Sequence, residues 1–380
     1  MEQAVIVAFA RSAFTPAHKG GLASVRPDDM LAAVMKASVE RARVDPCLIE
    51  DAIVGCAFPE GEQGLNVARI AVFLAGLPET TAGVTMNRFC GSSMQAVHMA
   101  AGNIALKAGD AYLAGGVESM TRIPMGGFAP MPHPGLYERY PDAYESMGIT
   151  AENLAEKYGI SRDEQESFAL ESQRRASTPE ALEASAKQII PIPNENGEIV
   201  NKDECPRPRS AKADMAKLAP AFKEGGTVTA ATSSPLTDGA TCMVVCSASF
   251  AKAHNLVPMA KIRAVSVSGC APGIMGIGPV EATRKVLKSG GVALSDVDVI
   301  ELNEAFAAQS LAVIRELRLD PDKTNMHGGA IALGHPLGAS GARIVGKAAE
   351  LLRKKEGRFA LSTMCVGGGQ GVATLLEACE

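Results

Sequence analysis

An α/β fold is predicted by two features of the chain. Short runs of Val, Ile and Ala with strand character alternate with longer stretches whose apolar residues recur at helical spacing. The same order of runs then returns in the second half, which points to a duplicated unit. With 380 residues, 47% of them hydrophobic and 21% charged, the chain is long enough for two or three domains around a large core.

Ala4–Ala10 clusters Val, Ile and Phe as a buried strand does, and Pro27-Asp28-Asp29 opens a helix whose apolar positions recur through Val44. Ile49–Phe58 supplies the next strand, Asn66–Leu77 a helix and Gly83–Asn87 a third strand. Ser92–Ala108 follows as a helix whose small residues suit close packing or burial, and Tyr112–Gly116 returns as a strand ending in paired glycines. The second half repeats this order: strand Ala260–Ser268, helix Pro279–Lys288, strand Val297–Leu302, helix Glu304–Leu317. Asn325–Ala332 leads to His335, a small-residue helix runs from Gly338 to Lys354, and the strand Phe359–Met364 runs into Cys365 and a glycine cluster. On this alignment His335 holds the station that Cys90 holds in the first half. Two such units placed back to back bring equivalent loop ends together around one site.

The predicted halves are residues 1–118 and 257–380, with 235–256 returning to the first through the strand Leu236–Val245. Residues 119–234 differ in texture. Pro and Gly punctuate 124–141, Ala151–Arg175 forms one helix-like run, and Pro191–Arg209 is turn-rich and polar, as a surface excursion would be. An insertion of this length is expected to serve function.

Composition excludes several classes. A formal net charge of −5, no Trp and 4% aromatic residues leave neither a basic field nor stacking platforms for nucleic acid. Nine scattered cysteines without a CxxC pair argue against a disulfide framework or a structural zinc site, and favour a reducing compartment. No apolar run approaches the ~20 residues needed to cross a bilayer. Arg11 interrupts the first apolar segment before a signal peptide develops, so a cytoplasmic protein without a membrane span is expected.

The chemistry concentrates at predicted strand ends. Met86–Gln95 places Cys90 where a strand gives way to a helix, a position whose partial positive charge favours thiolate over thiol. Gly91, Ser92 and Ser93 leave room around the sulfur and let backbone N–H groups approach an acyl oxygen. The second half adds Asn303-Glu304-Ala305-Phe306, Gly334-His335-Pro336 and Cys365-Val366-Gly367-Gly368-Gly369. Together these motifs supply a nucleophile, a base, a second thiol for proton exchange and a hydrogen-bonding amide.

The sequence resembles the thiolases, and among them the degradative 3-ketoacyl-CoA thiolases. The resemblance runs from Val7-Ala8-Phe9-Ala10-Arg11-Ser12 through Asn87-Arg88-Phe89-Cys90-Gly91-Ser92, Gly115-Gly116-Val117-Glu118-Ser119-Met120 and Met147–Asn153. It continues through Asn303–Ala307 and the Gly328–Arg343 stretch with its Gly-His-Pro, covering essentially the whole chain. It implies a thiolase fold: two βαβαβ-type halves in five α/β layers, with 119–234 as a loop domain over the CoA site.

The resemblance also implies roles. Cys90 would attack the 3-keto carbon and retain the shortened acyl group, and His335 would take its proton. Cys365 would protonate the acetyl-CoA enolate and then help to deprotonate incoming CoA. Asn303 would hold a water that forms one oxyanion site with His335; the backbone N–H groups of Cys90 and Gly367 would form the other. Met147, Ser234, Ala305 and Phe306 would line the pantetheine channel. Lys202, Arg207, Arg209, Lys212, Lys217 and Lys223 form a basic stretch suited to CoA phosphates or to a solvated surface, and no single phosphate ligand is assigned. CoA is a co-substrate, with no metal or redox cofactor implied. The implied assembly is a homodimer or homotetramer, with a hydratase–dehydrogenase subunit as a further partner.

Ser146 precedes Met147 where acetoacetyl-CoA-specific thiolases carry His, which favours a roomier acyl pocket. His327 and Ala231-Thr232 are further departures from the family pattern, and the other seven cysteines match no catalytic station. A biosynthetic acetoacetyl-CoA thiolase is the alternative reading, and a non-catalytic thiolase-like lipid-binding protein a third.

Overall fold

A computed structural model describes residues 2–379. Ten strands form one mixed sheet, nine of them in a single path. In chain order the nine are β1 (Ala4–Arg11), β2 (Asp51–Gly55), β3 (Ala82–Met86), β4 (Ala111–Ser119), β5 (Thr237–Ser247), β6 (Ala260–Gly269), β7 (Val299–Leu302), β8 (Phe359–Val366) and β9 (Gln370–Glu377). Their spatial order is β7-β8-β9-β6-β1-β5-β4-β2-β3, and the two-residue piece Thr15–Pro16 pairs with β5.

That order carries the duplication. Read outward from the centre, each half presents its first, fifth, fourth, second and third strands; the last station of the second half is reduced to a parallel bridge from Ile300 to Thr324. The halves join where β1 and β6 pair antiparallel at Val5–Lys261 and Ile6–Ala260.

The strands read as unbroken apolar runs because both faces are covered. Alternate side chains sort into different cores: Val5, Val7, Ala52, Val54 and Leu113 face the Pro27–Ala42 and Val67–Leu74 helices, whereas Ile6, Ile53, Tyr112 and Ala114 face inward. The Gly278–Gly290 and Ala307–Leu317 helices cover the outer face of the second half. Between the two halves lie the Ser92–Ala105 and Leu337–Lys354 helices, which share one core with strands of both. Five layers result: helix, the first half of the sheet, helix, the second half of the sheet, helix. The small residues of the central helices explain the contact: a Cβ on Gly341 would strike the Met94 backbone, and the Ala342 N–H donates to Ser93 Oγ at 2.9 Å.

The insertion departs from its predicted outline. The single run Ala151–Arg175 is two helices, Met147–Tyr158 and Arg162–Ala176. Gly159, with φ +58°, closes the first, and a Ser161–Glu164 capping box opens the second. A further helix, Pro179–Gln188, capped by Thr178, and the strand β9 were not predicted. The helix predicted from Glu304 begins at Ala307, because Asn303–Phe306 stays outside it and Phe306 bridges to Ser233. No helix among the described residues is long and apolar enough to cross a membrane.

Candidate active site

Cys90 sits in a tight turn between β3 and its helix. Phe89 takes a left-handed conformation, φ +43°, unusual for a bulky residue and held by its neighbours. Its N–H donates to Asn87 Oδ1 at 2.7 Å, and its carbonyl accepts from Ser92 Oγ at 2.6 Å. Gly91 has no alternative, since a Cβ there would come within 2.8 Å of Val366 and 2.9 Å of Val372. The helix N-terminus does not yield a resting thiolate. Burial pushes the Cys90 thiol up to about 12, outweighing the backbone N–H groups of Gly367 and Cys90 that point at the sulfur. A protonated thiol needs a base.

His335 lines the same cavity as Cys90. Its Nδ1 lies 2.6 Å from Ser340 Oγ, and the Ser340 hydroxyl donates to the Pro336 carbonyl at 3.0 Å. With its proton so placed, Ser340 accepts from Nδ1–H, which leaves Nε2 as the unprotonated, accepting nitrogen. Burial, followed by the nearby charge of Arg343, lowers the imidazole pKa to about 3, so the ring is neutral near pH 7. Asn303 Nδ2 donates to Nε2 at 3.3 Å, and Asn303 Oδ1 is buried without a partner among the described residues. The His335 N–H donates to Thr237 Oγ1 at 3.0 Å, fixing the turn.

Cys365 is the penultimate residue of β8 and is fully buried, in an apolar cluster with Met147, Ala305 and Phe306. Its thiol is held well above the ordinary range, first by burial and then by the proximity of Cys90. Gly367 follows it, and the left-handed Gly368 and Gly369, φ +75° and +83°, turn the chain into β9. Asn303, Cys365 and the Cys90 and His335 turns all lie at the same ends of their strands, as the duplication requires.

A cavity of about 170 Å³ opens onto Cys90 and His335. Ser146, Met147, Ser234, Ala305 and Phe306 line it, with Met120, Met125, Phe222, Met275 and Leu337 supplying further apolar wall. Four flexible thioethers make that wall adaptable. An adjoining cavity of about 210 Å³ shares Ser233 and Pro235 with the first and carries Arg207 and Ser210. The remaining basic residues of the insertion are spread out: Lys212, Lys217 and Lys223 pair with Asp163, Asp214 and Glu156, while Lys202 and Arg209 are exposed.

Residues 4–249 match the family description "Thiolase, N-terminal domain", and residues 256–378 match "Thiolase, C-terminal domain". The chain belongs to the thiolase family. It is 43% identical over 391 residues to a 3-ketoacyl-CoA thiolase of Bacillus subtilis, covering 100% of both chains. It is 46% identical over 386 residues to one of Idiomarina loihiensis, covering 99% of this chain and 100% of the relative. Two solved structures superpose with a TM-score of 0.91: Bacillus anthracis acetyl-CoA acetyltransferase, 38% identical, and human mitochondrial 3-ketoacyl-CoA thiolase, 37% identical. Each spans 100% of this chain and 99% of its own.

In this thiolase the fold brings all nine sequence-predicted site residues to one place. Sequence reasoning missed Ser340 and Glu118. Buried Glu118 accepts from the N–H groups of Ala57 at 2.8 Å and Gly338 at 2.9 Å, tying the His335 turn to the first half. Ser340 stands five residues after His335 on the next helix, a spacing that could have marked it; nothing local marks Glu118 as a clamp across 220 residues.

Proposed function

We propose that this thiolase cleaves 3-ketoacyl-CoA with CoA to give acetyl-CoA and an acyl-CoA shortened by two carbons, as in fatty acid β-oxidation. The observation that carries this is that a protonated Cys90 and a neutral His335, whose Nδ1 lies against Ser340, line one apolar cavity, with the Cys365 thiol near Cys90.

Cys90 gives its proton to His335 Nε2 as its sulfur attacks the 3-keto carbon. The bond between C2 and C3 breaks, leaving the acyl group as a thioester on Cys90 and the acetyl-CoA enolate, which takes the proton of Cys365. The Cys365 thiolate then removes the thiol proton of incoming CoA. The CoA thiolate attacks the thioester, acyl-CoA leaves, and His335 returns its proton to Cys90. Two thiols serve because one is acylated when the second proton must move.

Negative oxygen forms twice. The Gly367 and Cys90 N–H groups, already aimed at the sulfur, suit the oxygen of the tetrahedral centre. The unpartnered Asn303 Oδ1 suits a water that, with protonated His335, meets the enolate. CoA acts as co-substrate, and these residues make every proton transfer without a metal or redox cofactor. Arg207 and Ser210 line the adjoining cavity, and a guanidinium there supports that cavity as the one for the nucleotide end.

The half-exposed edge strand β3 supports a homodimer, and exposed Phe128, Met131 and Tyr137 support a dimer of dimers. A hydratase–dehydrogenase subunit is the further partner that the resemblance implies, and the cytoplasm is the proposed location. The likeness to an acetyl-CoA acetyltransferase keeps a biosynthetic role as the second reading. Steady-state thiolysis across a series of ketoacyl-CoA lengths separates the two: turnover of chains longer than four carbons supports cleavage in β-oxidation, and activity confined to acetoacetyl-CoA contradicts it.

A further inference from the structure

Gly367 opens a run of three glycines, where the backbone has the fewest steric restraints of its own. A Cβ added at Gly367 would make only ordinary contacts, 3.4 Å to Phe89 and 3.7 Å to Met147, so side-chain packing does not pin it. Yet its N–H points at the Cys90 sulfur. A donor of this kind is useful only if it is aimed before charge develops on oxygen.

Two hydrogen bonds supply the missing restraint. Gln370, the first residue of β9, donates from Nε2 to the Gly367 carbonyl at 3.2 Å, and its Oε1 accepts from Arg88 Nη1 at 2.8 Å. A guanidinium only donates and a carbonyl only accepts, so one orientation of the Gln370 amide satisfies both. Arg88 lies two residues before Cys90. Its backbone N–H donates to Ser92 Oγ at 2.8 Å, and that hydroxyl donates to the Phe89 carbonyl, which roots Arg88 in the turn that carries the nucleophile. Gln370 thus connects that turn to the glycine run across 282 residues. Neither Arg88 nor Gln370 lines the catalytic cavity, so any influence on the reaction passes through the backbone they hold.

We propose that Arg88 and Gln370 are positioning residues for acyl transfer: the Gln370 amide, steadied by Arg88, sets the Gly367 peptide against the Cys90 turn so that the Gly367 N–H meets the oxygen of the tetrahedral centre. This rests on the reading of Cys90 as the residue that is acylated. Removing such a donor outright costs about a hundredfold to a thousandfold in rate; spoiling its aim while leaving it present should cost less, about tenfold.

Gln370→Met tests this, because it keeps the length of the side chain and the charge of Arg88 but offers Gly367 no donor. The rate of acyl-Cys90 formation from a ketoacyl-CoA, followed by rapid quenching and intact mass, is expected to fall about tenfold. KM for the ketoacyl-CoA should stay as it is. So should the rate at which Cys90 reacts with methyl methanethiosulfonate, a reagent without a carbonyl, followed by peptide mapping. Equal acylation rates in the two proteins overturn the proposal, and so does an equal fall in both reactions, which would mean that the sulfur itself has moved. If Gln370→Met does not fold, Arg88→Met should acylate about tenfold more slowly and Arg88→Lys should recover most of the rate; no loss in Arg88→Met overturns the proposal. Absence of any acyl-Cys90 in the unaltered chain would instead overturn the proposed reaction, and this inference with it.

Discussion

Nδ1 of His335 and Oγ of Ser340 lie 2.6 Å apart, and this contact determines which imidazole nitrogen faces the chemistry. Because the Ser340 proton goes to Pro336, the ring keeps its own proton on Nδ1 and leaves Nε2 unprotonated, as the proposed base must be. Replacing Ser340 with Ala frees the ring to rotate or change tautomer. Turnover is expected to fall about tenfold to a hundredfold, the range seen when a residue orienting a functional imidazole is lost. KM for CoA should barely change, and Ser340→Thr should restore most of the loss. An unchanged kcat in Ser340→Ala would remove Ser340 from the positioning role.

Two buried rings tie stability to acid. His98, bonded to Thr374 Oγ1 at 2.8 Å, and His335 both have pKa values lowered from 6.5 to about 3, chiefly by burial. Each binds fewer protons folded than unfolded between those values. Their contribution is therefore fully present above pH 6.5 and is lost as pH falls toward 3. The loss amounts to about 1.4 kcal/mol per pH unit for each ring. Denaturant unfolding between pH 6 and pH 4.5 should show a shallower slope in His98→Asn by about one proton; an identical slope would mean that His98 titrates normally in the folded chain.

Gly55 ends β2 directly beneath the Cys90 helix. A Cβ there would run into the backbone of Ser92 and Ser93, which cannot swing aside as a side chain can. Gly55→Ala is expected to cost about 1–3 kcal/mol of stability and to lower activity by displacing the Cys90 turn. Equilibrium unfolding measures the first and thiolysis the second. A fully stable, fully active variant would show that this packing does not hold the nucleophile.

Ser146 lines the cavity beside Met147, and its small side chain leaves space for an acyl chain. Ser146→His should narrow that space. The ratio of kcat/KM for a long ketoacyl-CoA to that for acetoacetyl-CoA is expected to drop about tenfold, the discrimination a hydrophobic pocket achieves through one or two carbon-sized contacts. A ratio that does not move would place the length filter elsewhere in the wall.

Much of this architecture was readable in the chain because the strands are buried on both faces and their β-branched runs stand out between helices. The station shared by Cys90 and His335 followed from the repeated order, and the strand order realises it. The Cys90, Asn303, His335 and Cys365 motifs were legible because reactive side chains stand among glycines and other small residues at strand ends. What stayed hidden depends on contacts that sequence proximity cannot reveal. Glu118 meets Gly338 only after the halves close, and Met120, Met125 and Phe222 enter the cavity wall through the fold of the insertion. The resting state of Cys90 was misjudged for a related reason. The helix terminus is local and visible in the sequence, whereas the burial that outweighs it arises from β8, β9 and the insertion closing over the turn.

The most direct test is intact mass measurement, with peptide mapping, after brief mixing with a ketoacyl-CoA in the absence of free CoA. One added acyl group on Cys90 is expected. Cys90→Ser should show no adduct, and Cys365→Ser should still form some acyl-enzyme while losing most turnover. An acyl group on any other cysteine, or full turnover without Cys90, would contradict the assigned nucleophile.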